Sequence, residues 1–152
     1  MKDKKLIRRA RKGKPIKQVA ALPLRRSVTG ELEVLLVTSR RTGRFIIPKG
    51  WPLKGHKDWK AAALEASQEA GVSGEFDKQP IATFQYWKRL KDRFVSIEVD
   101  VYPLRVEAEH PNWKERDQRS RAWVTPAQAA TLVDETQMMS LLTALRDFNL
   151  DY

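Results

Sequence analysis

Residues Gly50 to Val72 constrain this chain more than any other stretch, because a glycine-containing loop there leads into an alanine-rich helix that stops at Gly71. The helix carries Glu65 and Glu69 four residues apart, and neither has a basic residue three or four positions away. Like charges at this spacing repel by roughly 0.2–0.5 kcal/mol, and acids near a helix C-terminus oppose the macrodipole. A divalent cation between the carboxylates would remove both penalties, so the segment predicts a metal site.

The length and composition limit the class of protein. A chain of 152 residues forms one domain of ordinary size with a sizeable core. It has no cysteine, which excludes disulfides and thiolate metal sites, and two histidines, His56 and His110, cannot alone complete a zinc site. The longest apolar run, Val19 to Leu24, is too short to span a bilayer, and the N-terminus lacks the apolar core of a signal peptide. We therefore expect a cytoplasmic protein without a membrane span.

The net charge of +10 is concentrated at the N-terminus. Residues 1–17 contain nine lysine or arginine residues and one acid, Asp3. We therefore divide the chain into a basic N-terminal arm, residues 1–15, and a folded domain, residues 16–152. Such an arm is either a solvated, poorly ordered terminus or a contact for polyanions such as polyphosphate, nucleic acid or an acidic membrane surface.

The order of apolar runs and turn signals predicts a mixed sheet with helices packed on it, which is an α/β fold. The expected strands cover residues 16–25, 32–38, 45–47, 81–88, 94–106 and 121–124. The expected helices cover residues 59–70 with Asp58 as N-cap, a segment beginning at Thr125-Pro126, and residues 137–148. Residues 49–57 and 108–119 have the composition of loops.

The segment that begins at Gly50 resembles the Nudix box, which reads G, five residues, E, seven residues, R-E-apolar-x-E-E-x-G-apolar. The chain matches this pattern at Gly50, Glu65, Ala66, Glu69, Gly71 and Val72. It departs at three fixed positions, where His56 and Gln68 replace glutamate and Leu64 replaces arginine. The layout of residues 16–150 looks like the diphosphoinositol and diadenosine polyphosphate hydrolases of the superfamily. The resemblance implies a Nudix-type α/β/α sandwich with a mixed sheet.

The resemblance also implies a metal-dependent active site. Glu65 and Glu69 would bind Mg²⁺ or Mn²⁺, with the carbonyl of Lys49 as a further ligand. Glu115 matches an acid that many relatives supply from the loop before the last strand, and Asp117 is the alternative. Gln68, counted with Glu65 and Glu69 in the catalytic set, offers a neutral oxygen where the family has a charged one.

The departures predict a weakened site. The arginine normally found at position 64 orients the first glutamate, and losing such a contact typically costs about 10–100-fold in metal affinity or activity. Metal binding would then be weak, or catalysis would be lost.

Basic residues before the box and at the predicted hairpin tip favour a polyanionic ligand, because arginine forks and lysine ammonium groups suit phosphate oxygens. The candidate substrate-binding residues are Lys17, Arg25, Arg40, Arg41, Arg44, Lys49, Lys88, Arg89 and Arg93. Trp87 or Tyr86 could stack on a base, although packing is the commoner use of such residues.

These observations predict a metal-dependent pyrophosphohydrolase that cleaves a phosphoanhydride in a dinucleoside polyphosphate, an inositol pyrophosphate or a related nucleoside diphosphate derivative. The alternative is a non-catalytic module on the same fold that binds nucleotide, polyphosphate or RNA, with nucleic acid meeting the basic arm. A scaffold with a decayed site is a third interpretation without positive support. The sequence leaves the substrate, the preferred metal and the oligomeric state open.

Overall fold

The computed structural model describes residues 1–145, which form a mixed sheet between helices. The strands in this range are β1 (Lys17–Arg26), β2 (Leu32–Thr38), β3 (Phe45–Ile46), β4 (Lys49–Gly50), β5 (Val72–Phe76), β6 (Ala82–Arg89), β7 (Phe94–Glu109) and β8 (Arg121–Val124). They follow the order β3-β2-β1-β7-β5, with β4 paired to β1, β6 to β7 and β8 to β2. Because β1 runs parallel to β7 while the other pairs are antiparallel, the predicted mixed sheet is confirmed.

The helices of the described range are α1 (Asp3–Arg11), α2 (Asp58–Glu65), α3 (Pro126–Leu132) and α4 (Thr136–Ala144), and a π-helical turn, Ala66–Ala70, continues α2. Thr125 is the N-cap of α3, as predicted: its hydroxyl accepts a hydrogen bond from the backbone N–H of Gln128, and the Gln128 side chain accepts one from the backbone N–H of Thr125. Asp58 is not an N-cap: Lys57 holds that position and Asp58 begins the helix, where its charge favours the macrodipole. The predicted end of the last helix, at residue 148, lies outside the described residues.

Alternation along the strands divides the core between the two faces of the sheet, as a period of two requires. Within β1, Val19 and Ala21 pack with α2 on one face, whereas Ala20, Leu22 and Leu24 pack on the other with α3 and α4. The predicted α/β/α sandwich is therefore confirmed. Among residues 1–145, no helix is both long and apolar enough to cross a membrane.

The N-terminal segment differs from the poorly ordered terminus considered above. Residues Asp3–Arg11 form α1. The side chain of Leu6 is fully buried in the core on the face of the sheet that α3 and α4 cover. Ile7 packs against the same cluster. One apolar face therefore docks a strongly basic helix on the domain, and its cations stay at the surface.

The sequence patterns did not predict two short strands. The β4 strand, Lys49–Gly50, pairs with Val19 and Ala20 inside a segment that has loop composition. The β5 strand contains Gly74, beside a register shift against β7, and a Cβ at that glycine would overlap the carbonyl of Arg105. A glycine required by close backbone approach breaks the apolar alternation from which strands are recognised.

Candidate active site

The α2 helix and its π-helical turn present polar side chains to one cleft because their opposite face is buried. The polar side chains are Glu65, Gln68 and Glu69. The buried face consists of small residues that let the helix lie close to the sheet: Ala61, Ala62, Ala66 and Ala70. The turn ends at Gly71, whose φ of 65° is the left-handed conformation that favours glycine. Arg121 donates a hydrogen bond at 2.8 Å to the carbonyl of Ala70 and so fixes this helix end to β8.

Glu65 lies against the backbone of Gly50. A Cβ at Gly50 would overlap the Glu65 carboxylate, so this approach requires glycine. Burial raises the pKa of Glu65, and the negative charge of Glu115 raises it further. Among residues 1–145, Glu65 has no hydrogen-bond or ion-pair partner, which leaves its carboxylate available to a ligand.

Glu69 is 4% exposed, and both of its oxygens have partners. Its Oε2 accepts a hydrogen bond from the backbone N–H of Lys49 at 2.9 Å, and its Oε1 lies 2.8 Å from Nη2 of Arg119. Burial raises the pKa of Glu69 to about 7, although Arg119 opposes this shift, and the charge of Glu65 adds to it. Desolvation of the carboxylate therefore outweighs the nearby guanidinium.

Glu115 reaches the same cleft from the loop that precedes β8. Its backbone N–H donates to the carbonyl of Gln68 at 3.0 Å, which joins the loop to the π-helical turn. Its Oε1 lies 3.1 Å from Arg40 and 3.3 Å from Arg119. Glu115, and not the exposed Asp117, is thus the acid that the fold brings beside Glu65 and Glu69.

Arg119 is the cation between two of these carboxylates. Its side chain is 6% exposed, and its Nη2 contacts both Glu69 and Glu115. Its Nη1 donates to the carbonyl of Thr38 at 3.0 Å, at the end of β2. Its buried Nε has no hydrogen-bond partner among the described residues. The guanidinium is therefore held by one backbone oxygen and two carboxylates.

The donors suit a hard divalent cation in kind, because Mg²⁺ and Mn²⁺ prefer oxygen ligands. Glu65, Glu69 and Glu115 line one cleft, together with Gln68 and Lys49. Within residues 1–145, however, no three acidic or histidine side chains are grouped as a metal requires. Nη2 of Arg119 lies between two of these carboxylates, 2.8 Å from Glu69 and 3.3 Å from Glu115.

The cleft has a volume of about 450 Å³ and carries cations around the acidic wall. The cationic residues that line it are Arg40, Arg41, Lys49, Lys88, Lys114 and Arg119. Burial lowers the pKa of Lys49, while the charges of Glu135 and Glu69 oppose this effect. The Nζ of Lys49 lies 5.1 Å from the centre of the Tyr86 ring, and the Tyr86 hydroxyl donates to Gln18 at 2.7 Å. Carboxylates beside several cations can hold a metal together with a multiply charged anion.

Comparison with known proteins gives the family. No family model matches the chain. Nudix hydrolase 21, chloroplastic, from Arabidopsis thaliana is 31% identical over 117 residues, which cover 76% of the chain and 57% of that relative. The chain belongs to the Nudix superfamily. It spans less than two thirds of the length of the curated relatives that it matches.

Solved structures share the Nudix fold. A crystal structure of the C. elegans Ap4A hydrolase superposes with a TM-score of 0.61 at 20% identity, covering 90% of this chain and 99% of that one. The NUDIX domain of Shewanella oneidensis NrtR, complexed with ADP ribose, superposes with a TM-score of 0.65 at 13% identity, covering 97% and 98%. At these identities the two structures support the fold alone.

The fold brings together only part of the predicted substrate-binding set. Four of them line the cleft beside the Nudix helix, which is α2 with its π-helical turn: Arg40, Arg41, Lys49 and Lys88. The other five do not line it: Lys17, Arg25, Arg44, Arg89 and Arg93.

Each of these five has another environment. Arg25 pairs with Glu33 and Glu109, and Arg44 pairs with Asp134. Arg93 pairs with its neighbour Asp92 at the hairpin tip. Lys17 is exposed on β1, and Arg89 lines a separate surface cleft with Lys91.

Residues that the box pattern does not contain complete the Nudix cleft. Arg119 and Lys114 come from the loop before β8, and Gln18 comes from β1. Glu115 and Arg119 are four residues apart, but this spacing predicts a contact only on a helix, and their segment has the composition of a loop. Trp87 is 68% exposed and does not line the cleft, whereas Tyr86 does. His56, at a box position, is exposed.

Proposed function

We propose that this protein is a metal-dependent hydrolase of phosphoanhydride bonds in a polyanionic substrate. One observation carries the proposal: three carboxylates, Glu65, Glu69 and Glu115, share a cleft with six cationic side chains. Carboxylates alone would repel a polyphosphate, and cations alone would bind it without cleaving it. Their combination suits a substrate whose phosphates meet a metal on one side and basic residues on the other.

The family supports a phosphoanhydride substrate. The curated relatives are Nudix hydrolases, one superposed structure is an Ap4A hydrolase, and another is complexed with ADP ribose. We infer a dinucleoside polyphosphate, an inositol pyrophosphate or a related nucleoside diphosphate derivative for this chain. The number of cations in the cleft favours the more highly charged members of this group.

Glu65, Glu69 and Glu115 would hold Mg²⁺ or Mn²⁺, with Gln68 and the carbonyl of Lys49 as neutral oxygen donors. When bound, such an ion neutralises phosphate charge and acidifies the attacking water. Glu65 has no partner among the described residues, so its carboxylate is available to the ion without breaking another contact.

The basic residues orient the substrate. Arg40 and Arg41 follow β2, Lys88 lies on β6 and Lys114 lies in the loop before β8, and all four line the cleft. Guanidinium groups can each donate two hydrogen bonds to phosphate oxygens, and the lysines would add further positive charge beside the phosphates.

A phosphate-release screen with and without Mn²⁺ tests the proposal across dinucleoside polyphosphates, nucleoside diphosphate sugars and inositol pyrophosphates. We expect Glu69→Gln to abolish turnover while the domain stays folded. Glu75→Gln, at an exposed position on β5, is the matched control and should retain activity. Unchanged turnover in Glu69→Gln, or no release from any substrate, would defeat the proposal.

A second candidate is a non-catalytic module that binds nucleotide, polyphosphate or RNA. Three features that weaken the metal site favour it. Leu64 replaces the arginine that would orient Glu65, and Gln68 is a neutral ligand where the family has a charged one. Arg119 pairs with Glu69 and Glu115. The basic contact surface of such a module would include α1. Such binding would weaken steeply with salt.

Deleting the arm is an unsuitable test of that candidate, because Leu6 belongs to the core. Replacing the exposed cations Lys4, Arg8 and Arg11 with glutamine leaves Leu6 in place. If α1 is a nucleic-acid contact, this triple variant should bind RNA more weakly and with a smaller salt dependence. RNA affinity equal to that of the unmodified chain would exclude α1 as the contact.

A further inference from the structure

The position of Arg119 conflicts with the metal site on which the proposed function rests. Its Nη2 lies 2.8 Å from Oε1 of Glu69 and 3.3 Å from Oε1 of Glu115. All three side chains are at most 10% exposed, so water screens these contacts little. A divalent ion that used the same oxygens would meet a buried positive charge at hydrogen-bond distance.

We propose that Arg119 is an internal competitor for the divalent cation, which binds by displacing the guanidinium from Glu69 and Glu115. The proposal rests on the metal site of the proposed function. The arginine pairs with the two carboxylates that it contacts, and Glu65 alone of the three predicted acidic ligands has no partner in residues 1–145.

The contacts of Glu69 show why displacement is needed. Its Oε2 already accepts the Lys49 backbone N–H, so its Oε1, the Arg119 partner, is the better placed oxygen for an ion. In Glu115 the same Oε1 contacts both Arg119 and Arg40. A metal ion therefore gains Oε1 of Glu69 and Oε1 of Glu115 as ligands only when the Arg119 contacts break.

The environment of Arg119 also shows that its contacts are incomplete. The buried Nε lacks a partner among the described residues, and an unsatisfied buried donor is costly. Nη1 is held by the Thr38 carbonyl, outside the carboxylate pair. Arg119 lines the cleft, so a guanidinium released from the carboxylates would still face the anion-binding space, where phosphate oxygens are alternative acceptors.

The opposing interpretation is that Arg119 positions the carboxylates for the metal, as the arginine missing at Leu64 is expected to do. The two interpretations predict opposite changes in metal affinity. An orienting arginine strengthens metal binding, so its removal weakens it. A competing arginine weakens metal binding, so its removal strengthens it.

The experiment is a Mn²⁺ titration of the full chain at pH 7.5 without substrate, with free Mn²⁺ measured by electron paramagnetic resonance. We expect Arg119→Gln to bind Mn²⁺ at least about tenfold more tightly than the unmodified chain, which corresponds to about 1.4 kcal/mol. Arg116→Gln removes the same charge from an exposed position on the same loop and should leave the Kd within about twofold. Mn²⁺ should also raise the Tm of Arg119→Gln more than that of the unmodified chain.

Arg119→Lys separates the effect of the positive charge from that of the guanidinium geometry, and it replaces Arg119→Gln in the titration if the glutamine variant does not fold. Lysine keeps the charge but lacks the fork that holds Thr38 and the carboxylates together, so Mn²⁺ should still bind more tightly than to the unmodified chain. Weaker or unchanged binding in the folded variants overturns the proposal, as does the absence of Mn²⁺ binding in all of them. Tighter binding without phosphate release from any substrate would support the competition and defeat the proposed hydrolase function.

Discussion

Leu6→Ala should destabilise the whole domain, although the residue lies in a segment whose composition resembles a disordered tail. The Leu6 side chain is fully buried in the main core, and α1 has only nine residues. A helix of that length is marginal in water without tertiary packing. Leu→Ala changes in cores cost about 2–5 kcal/mol, and burial of one leucine contributes about 1.5–3 kcal/mol. Because α1 can undock instead of leaving a cavity, we expect a loss of about 2–3 kcal/mol.

Urea unfolding followed by tryptophan fluorescence measures this loss, and limited trypsin digestion reports on the helix. An undocked segment rich in lysine and arginine should be cleaved faster than a docked one. Lys5→Ala is the matched control, since Lys5 is exposed on the same helix and surface changes usually alter stability by less than about 0.5 kcal/mol.

The reasoning is refuted if Leu6→Ala unfolds at the same urea concentration as the Lys5→Ala control and its first eleven residues resist trypsin equally. That result would mean that α1 is not docked through Leu6 in solution, and the N-terminal segment would again be a solvated arm.

Two further predictions concern the cleft. Gly50→Ala should lower kcat about 100-fold with little change in Tm, because the added Cβ displaces the flexible Glu65 carboxylate. Gly55→Ala is the control: Gly55 has a φ of 80° with open space around it, so this variant should lower Tm and retain kcat. Comparable kcat losses in both variants would contradict this. Burial raises the pKa of Glu69 from 4.5 to about 7, so the folded state holds this proton more tightly than the unfolded state. In metal-free buffer the free energy of unfolding should therefore include a contribution of about 3 kcal/mol below pH 4.5, which is lost as the pH rises through 7. Glu69→Gln should lack this slope in urea unfolding, and an identical slope in both proteins would assign it to other groups.

Local patterns in the sequence predicted the sheet and the Nudix helix because each depends on neighbouring residues. The buried run of β2 and the Thr125-Pro126 helix start are examples, and both appear where they were expected. The partner of Glu69 could not be found this way. The rule that an acid lacks a counter-charge when no base lies three or four residues away ignores Arg119, which lies fifty positions along the chain.

The same limit explains the substrate-binding set. Basic residues on strands before the box were grouped by sequence proximity, yet alternate residues of a strand face opposite sides. Arg25 therefore stacks on Trp123, 4.1 Å from its ring centre, and pairs with Glu33 and Glu109 instead of entering the cleft. Charge in a segment predicts a polyanion surface only when the fold brings the charged side chains to one cleft.

The departures from the Nudix box are better understood together than singly. Leu64 removes one positive charge from the box, whereas His56 and Gln68 each remove one negative charge, so the box carries one net negative charge fewer than the family pattern. Glu115 and Arg119, four residues apart on the loop before β8, supply one charge of each sign to the same cleft. This pair adds no net charge and so does not restore the missing negative charge. Its arginine contacts Glu69 and Glu115, and Glu65 is left without a partner among the described residues. Three carboxylates still line the cleft, and under the competition proposed above a divalent ion would reach two of them by displacing Arg119.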